Sequence, residues 1–137
     1  LVHDMVGYNY RLPNINAALG CAQLETLDHK LAVKRRLSLH YRDAFADATG
    51  VQYLSPPSWG ESNNWLCALL FDDAPARDQV LTSLNAAGYQ CRPFWAPLHS
   101  MKMYADCPRA SLAVTGHLSA CGLTLPSGAG LTSEIKR

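Results

Sequence analysis

The run of eight residues from 64 to 71, Asn-Trp-Leu-Cys-Ala-Leu-Leu-Phe, is apolar after its first position. It is far too short to cross a bilayer. Continuous apolarity over such a length, without alternation, fits a strand buried on both faces. A strand of that kind commits the chain to a sheet, and the sheet needs other elements stacked on it.

Those elements can be read on either side. Pro13-Asn14 opens a helix, with Asn14 as its cap or Pro13 in its first turn. Ile15, Leu19, Leu24, Leu27 and Leu31 fall near one face. Ala17, Ala18 and Ala22 lie beside them and would let another backbone come close. A second periodic set, Leu37, Tyr41, Phe45 and Ala48, ends at the helix stop Gly50. Residues 14 to 49 are therefore one long helix, or two broken near Asp28. Residues 51 to 54 alternate and read as a strand, and the Pro- and Ser-rich stretch that follows reads as a loop. Asp72-Asp73 introduces a further helix with Pro75 near its start, Val80, Leu81 and Leu84 as its buried face, and Gly88 as its end. Residues 89 to 92 resume a strand. Residues 93 to 101 contain two prolines and cannot be a central strand, because proline has no ladder donor. Residues 107 to 118 read as a helix, and 122 to 127 as a short strand ending in a turn. This order predicts an α+β fold, a small and mostly antiparallel sheet covered by helices on one face.

The totals narrow the function. A chain of 137 residues suits one domain, and 48% hydrophobic against 17% charged residues predicts a folded one. The net charge of +1 offers no basic field for nucleic acid or an anionic membrane. The basic run Lys34-Arg35-Arg36 reads as a solvated helix face, and no internal repeat or low-complexity segment is visible. The five cysteines are odd in number and widely spaced, with neither a CxxC pair nor zinc-ligand spacing. No metal is expected, and the usage fits a reducing cytoplasm. Cys21 and Cys67 read as small buried hydrophobes. His3 and Asp4 interrupt any apolar start, so no signal peptide is expected. Leu131-Thr132-Ser133-Glu134 resembles a helix just begun, and the chain starts without a methionine; together these suggest a fragment. Gly128-Ala129-Gly130 lacks the setting of a phosphate loop, and no serine has a nucleophile-elbow context. His29 and His40 read as surface residues.

Two groups can carry chemistry. Tyr8, Asn9, Tyr10 and Arg11 stand just before a helix N-terminus, where backbone N–H groups and the helix dipole favour an anion. Asn9 can donate to a phosphate oxygen, and the fork of Arg11 can grip phosphate or carboxylate. The same residues equally allow a turn cap and a surface ion pair. Arg92, Trp95 and His99 lie on the irregular stretch and suit a ligand wall. Trp95 can cover a sugar or a base, and His99 can donate a hydrogen bond or move a proton. The alternative is a loop packed by its own Phe94 and Trp95.

Residues 7 to 18, Gly-Tyr-Asn-Tyr-Arg-Leu-Pro-Asn-Ile-Asn-Ala-Ala, continued by Gln23-Leu24 and Leu27-Asp28, closely resemble a hallmark of the DegT/DnrJ/StrS-type nucleotide-sugar aminotransferases, which depend on pyridoxal 5′-phosphate. Later signatures follow in order: Gly88-Tyr89 before Arg92-Pro93, Pro97-Leu98-His99 before Met103-Tyr104, and Leu123-Thr124-Leu125-Pro126-Ser127 before Leu131-Thr132. The hallmark is most similar to members that aminate 4-keto sugars on a nucleoside diphosphate, such as those making bacillosamine- or legionaminic-acid-type sugars. The resemblance implies that residues 1–137 are the C-terminal small domain of a fold-type-I aminotransferase whose N-terminal cofactor domain is absent. None of Lys30, Lys34, Lys102 and Lys136 stands in the family's cofactor-lysine context. The stretch would then hold no catalytic residue, bind no coenzyme and be inactive alone. The resemblance further implies a cytoplasmic homodimer with glutamate as amino donor. Asn9 would meet the cofactor phosphate across the interface, and Arg11 would shape the same site or meet substrate phosphates. His99 would sit near the sugar nucleotide, with Arg92 and Trp95 close by in sequence. The alternatives are part of a pyridoxal- or pyridoxamine-phosphate-dependent sugar dehydratase, or a stand-alone binding or dimerisation domain. In a separated domain the alanine-rich face of the first helix is expected to be exposed, with self-association as one consequence.

Overall fold

The computed structural model describes residues 3–10 and 12–131. In chain order the elements are α1 (Asn14–Leu24), α2 (Leu27–Ala44), β1 (Val51–Tyr53), β2 (Cys67–Phe71), α3 (Ala74–Ala86), β3 (Arg92–Pro93), two 3-10 turns (Leu98–Ser100 and Lys102–Tyr104), α4 (Ala113–Cys121) and β4 (Gly122–Leu125). The four strands form one sheet in the order β1-β2-β4-β3, with every neighbouring pair antiparallel. The α+β reading holds, and β2 is central as its unbroken apolar run requires. The strand that reaches the sheet last in sequence, β4, fills the other central place.

Register follows from burial. Cys67 pairs with Leu125 and Leu69 with Leu123, and all four are buried. Together with Tyr53, Phe71 and Cys91 they make the core, on which Tyr41 of α2, Phe45 just past its end, and Val80, Leu81 and Leu84 of α3 pack. Polar bonds lock α2 onto the sheet. Ser38 and Tyr53 share a buried hydroxyl–hydroxyl bond of 2.7 Å. Tyr41 Oη donates to the Pro126 carbonyl at 3.0 Å. Lys34 Nζ donates to the carbonyls of Trp65, at 3.3 Å, and Ser127.

The helix ends follow local chemistry. The Asp73 carboxylate accepts from Ala76 N–H at 2.8 Å, and a proline sits in the first turn of α3. The same helix ends at Gly88, whose φ of +89° suits glycine, while Tyr89 N–H reaches back to the Leu84 carbonyl at 2.9 Å. The first helical stretch breaks at Glu25-Thr26, just before Asp28, where Thr26 Oγ1 donates back to the Gln23 carbonyl at 3.2 Å.

Several expectations need correction. Pro13, in extended backbone, is the cap residue of α1 and Asn14 its first helical residue. The strand in the apolar run begins only at Cys67, because Trp65 N–H is taken by Asn63 Oδ1 at 3.0 Å. The helix read over residues 107 to 118 starts only at Ala113 and runs to Cys121. Pro108 offers no N–H and disfavours helical backbone at Cys107. The strand read over 89 to 92 shrinks to Arg92–Pro93, because Cys91 N–H bonds to Asn85 Oδ1 at 3.0 Å and to the Tyr89 carbonyl at 2.9 Å instead of a ladder partner. Its proline is tolerated because β3 is an edge strand. Cys21 is exposed while Cys67 is buried, because α1 buries none of its residues against the described chain. The helix start read at residues 131 to 134 lies, beyond Leu131, outside the described residues.

Candidate functional site

Successive strand residues point to opposite faces, so Ala68 and Thr124, paired across β2 and β4, face away from Leu69 and Leu123. They form the floor of a cleft of about 380 Å³ together with Leu66. One wall is the chain after β3, from Phe94 to Pro97. The other is α4, through Thr115, Leu118 and Ser119. Two of the hydroxyls here are engaged by backbone carbonyls: Thr124 Oγ1 donates to the Arg92 carbonyl at 3.1 Å and Ser119 Oγ to the Trp95 carbonyl at 3.2 Å. The surface left to a ligand is largely apolar and aromatic, which suits stacking and shape more than hydrogen-bond readout.

At the rim stands a pair of indoles. Trp65 and Trp95 stack with centroids 6.1 Å apart and planes 30° from parallel. Both remain about two-thirds exposed, at 65% and 64%. Their backbones are fixed. The Trp65 carbonyl accepts from Ser127 Oγ at 2.8 Å as well as from Lys34, and the Trp95 carbonyl from Ser119. The exposed indole faces are therefore presented by anchored chain.

The residues singled out in the sequence fall in different places. Trp95 lines the cleft. Arg92 is exposed on β3, where it pairs with Thr124, and His99 is half-buried in the first 3-10 turn; neither lines the cleft. Asn9 is exposed in a segment where, among the described residues, Tyr8 and Tyr10 make a tilted ring contact at 6.4 Å, and it is not brought to the cleft. Arg11 lies outside the described residues. Sequence reading passed over Trp65. A tryptophan at the polar head of an otherwise buried run was the available signal, since a large ring there has no core to enter.

The described lysines do not supply an amine for an aldehyde coenzyme at the cleft. Lys30 donates to Gln23 Oε1, Lys34 is bound to two carbonyls, Lys102 is exposed in the second 3-10 turn, and none of them lines the cleft. The residues present do not by themselves fit such a coenzyme. Among the described residues no cluster of three or more His, Cys, Asp or Glu could hold a metal ion, and no helix is long and apolar enough to cross a membrane. The buried thiols of Cys67 and Cys91 are pushed above their ordinary range by burial, which suits packing groups rather than nucleophiles.

Known proteins are similar to this chain in sequence and fold. The chain is 36% identical over 138 aligned residues to the GDP-perosamine synthase of Caulobacter vibrioides, covering 97% of this chain and 37% of that protein. It superposes with a TM-score of 0.79 and 25% identity on PseC of Helicobacter pylori, an aminotransferase in pseudoaminic acid biosynthesis, over 96% of this chain and 36% of that one. A likeness of fold, at TM-score 0.70 and 22% identity, joins it to the Escherichia coli GDP-4-keto-6-deoxy-D-mannose-3-dehydratase solved with bound hydrated PLP, over 96% of this chain and 36% of that one. The chain spans about a third of the length of the curated relatives it matches. A family model matches residues 1–137 throughout, and the chain belongs to the DegT/DnrJ/EryC1/StrS aminotransferase family.

Proposed function

We propose that residues 1–137 are the small C-terminal domain of a pyridoxal-phosphate-dependent aminotransferase that aminates the keto sugar of a sugar nucleotide. The observation that carries this reading is the family match over the whole chain, from a protein whose curated relatives are about three times as long. The rest of the protein would supply the coenzyme pocket and its reactive lysine, consistent with the lack of a fitting amine at the cleft among the described residues. When bound, the coenzyme supplies an electron sink. This chain's part is positioning, which alone can lower a barrier by several kcal/mol. Asn9 is assigned to the coenzyme phosphate, across the interface of a cytoplasmic homodimer. Arg11, Arg92, Trp95 and His99 are assigned to the sugar nucleotide, and glutamate to the role of amino donor. The exposed apolar face of α1 is assigned to contact with the absent part of the protein or the dimer mate.

The fold likeness to a sugar dehydratase favours a second reading, dehydration on the same scaffold. The choice rests on the upstream residue that replaces or retains the lysine. Both readings are tested by expressing the full-length gene, recording the visible absorbance of a lysine-bound coenzyme, and supplying keto-sugar nucleotides with glutamate. An aminated sugar is the expected product. A dehydrated sugar with no lysine-bound absorbance would favour the second reading, and no coenzyme retention at all would overturn both.

A further inference from the structure

Gly122 lies where α4 passes into β4, and a side chain has no room there. A Cβ built on it would sit 2.4 and 2.6 Å from Cδ2 and Cε2 of Phe94, and 2.6 Å from the Leu118 carbonyl oxygen. Its own carbonyl accepts two hydrogen bonds from different parts of the fold. Phe94 N–H donates at 3.3 Å and Arg77 Nη1 at 3.2 Å. Arg77 comes from α3, its side chain is only 12% exposed, and its Nε is held by Asp78 Oδ1 at 2.7 Å. The guanidinium is a rigid fork, so a fork gripped at both ends fixes the carbonyl it touches.

Gly122 thus joins α3, β4 and the chain beyond β3. The ring that occupies the place of its missing side chain is also a wall of the cleft, and the next residue is Trp95. Trp95 has a second anchor at Ser119, on α4, only three residues before Gly122. The orientation of the exposed indole therefore depends on how closely Phe94 seats on β4.

We propose that Gly122, with Arg77, is a positioning residue for the substrate wall: the absence of a side chain at 122 lets Phe94 seat against β4, and that seat holds Trp95 in its stack with Trp65. The inference rests on the reading of this chain as part of a keto-sugar nucleotide aminotransferase. In Gly122→Ala the ring must retreat by about 1 Å to reach ordinary contact, and the Leu118 carbonyl, next to the Ser119 that anchors Trp95, must shift as well; a misplacement of about 1 Å costs on the order of a hundredfold in rate. The loss should be selective. The amino donor is small and is read through the coenzyme, whereas the sugar nucleotide needs the wall.

The test uses the full-length holoenzyme, with the donor and keto-sugar half-reactions measured separately through the coenzyme absorbance. In Gly122→Ala, kcat/KM for the keto-sugar half-reaction should fall about a hundredfold further than that for the donor half-reaction. Equal losses, or none, would overturn the inference. If that variant does not fold, Phe94→Leu takes its place, because it keeps Gly122 and removes the seated ring. A selective keto-sugar loss supports the proposal, and an unchanged ratio overturns it. Failure of the broader reading shows separately, as wild-type protein that aminates no keto-sugar nucleotide. A crystal structure of either variant then decides: Trp95 withdrawn from Trp65 supports the positioning role, and an unmoved stack overturns it.

Discussion

At the scale of single residues, the sharpest consequences concern Asn9 and Tyr53. A side-chain donor to a charged phosphate contributes about 1.5–3 kcal/mol. In the intact dimer, Asn9→Ala should therefore weaken coenzyme retention roughly ten- to a hundredfold, as measured by equilibrium dialysis. Unchanged retention would remove the phosphate role assigned to it. Burial, chiefly, pushes the Tyr53 hydroxyl up to about 12 from an ordinary 10.0, and burial also raises Tyr41. Between those two pH values the unfolded chain has lost a proton that the folded chain keeps. The stability contributed by the buried phenol is full below pH 10 and is lost as pH rises toward 12. Tyr53→Phe should make the decline of urea stability over that window less steep, while costing about 1 kcal/mol at neutral pH through its lost bond to Ser38. A decline as steep as wild type would show that Tyr53 is not its source.

At the scale of elements, α3 and α1 are held in opposite ways. The cap at Asp73, the proline in the first turn and the Gly88 stop fix both ends of α3 from within. Asp73→Ala should cost about 1 kcal/mol in urea unfolding; a change near zero would mean that packing on the sheet alone sets where the helix begins. By contrast, α1 is periodic in sequence yet leaves Ile15 75%, Leu19 59% and Leu24 66% exposed. An apolar face of that kind drives association. The polypeptide of 137 residues should self-associate in sedimentation velocity, and Ile15→Glu combined with Leu19→Glu should return it toward a monomer. A wild-type chain that is monomeric at high concentration would contradict contact of this face with the dimer mate.

At the scale of the whole molecule, local signals were legible and long-range pairings were not. Caps, stops and the apolar run are written in neighbouring residues, so the class of fold, the start of α3 and the central place of β2 could be read directly. The insertion of β4 beside β2 pairs Leu69 with Leu123, more than fifty positions apart, and no local pattern encodes that. The shortened β3 and late α4 arise from side chains that compete with the backbone, Asn85 for Cys91 N–H and Pro108 for the helix ladder. The site was legible in part for the same reason. Trp95 stood out on its irregular stretch, whereas its stacking partner Trp65, thirty residues earlier, stands just before β2 at the head of a run that reads as strand throughout, and the need for glycine at 122 comes from a ring that only folding brings there.

The central claim, that these residues position a keto sugar for an amine carried elsewhere in the same protein, is tested most directly by one paired assay. The full-length protein and the 137-residue chain are each supplied with pyridoxal phosphate, glutamate and the same keto-sugar nucleotide, and the aminated product is measured. The expected result is product from the full-length protein and none from the chain alone. Unaided turnover by the 137-residue chain would contradict it.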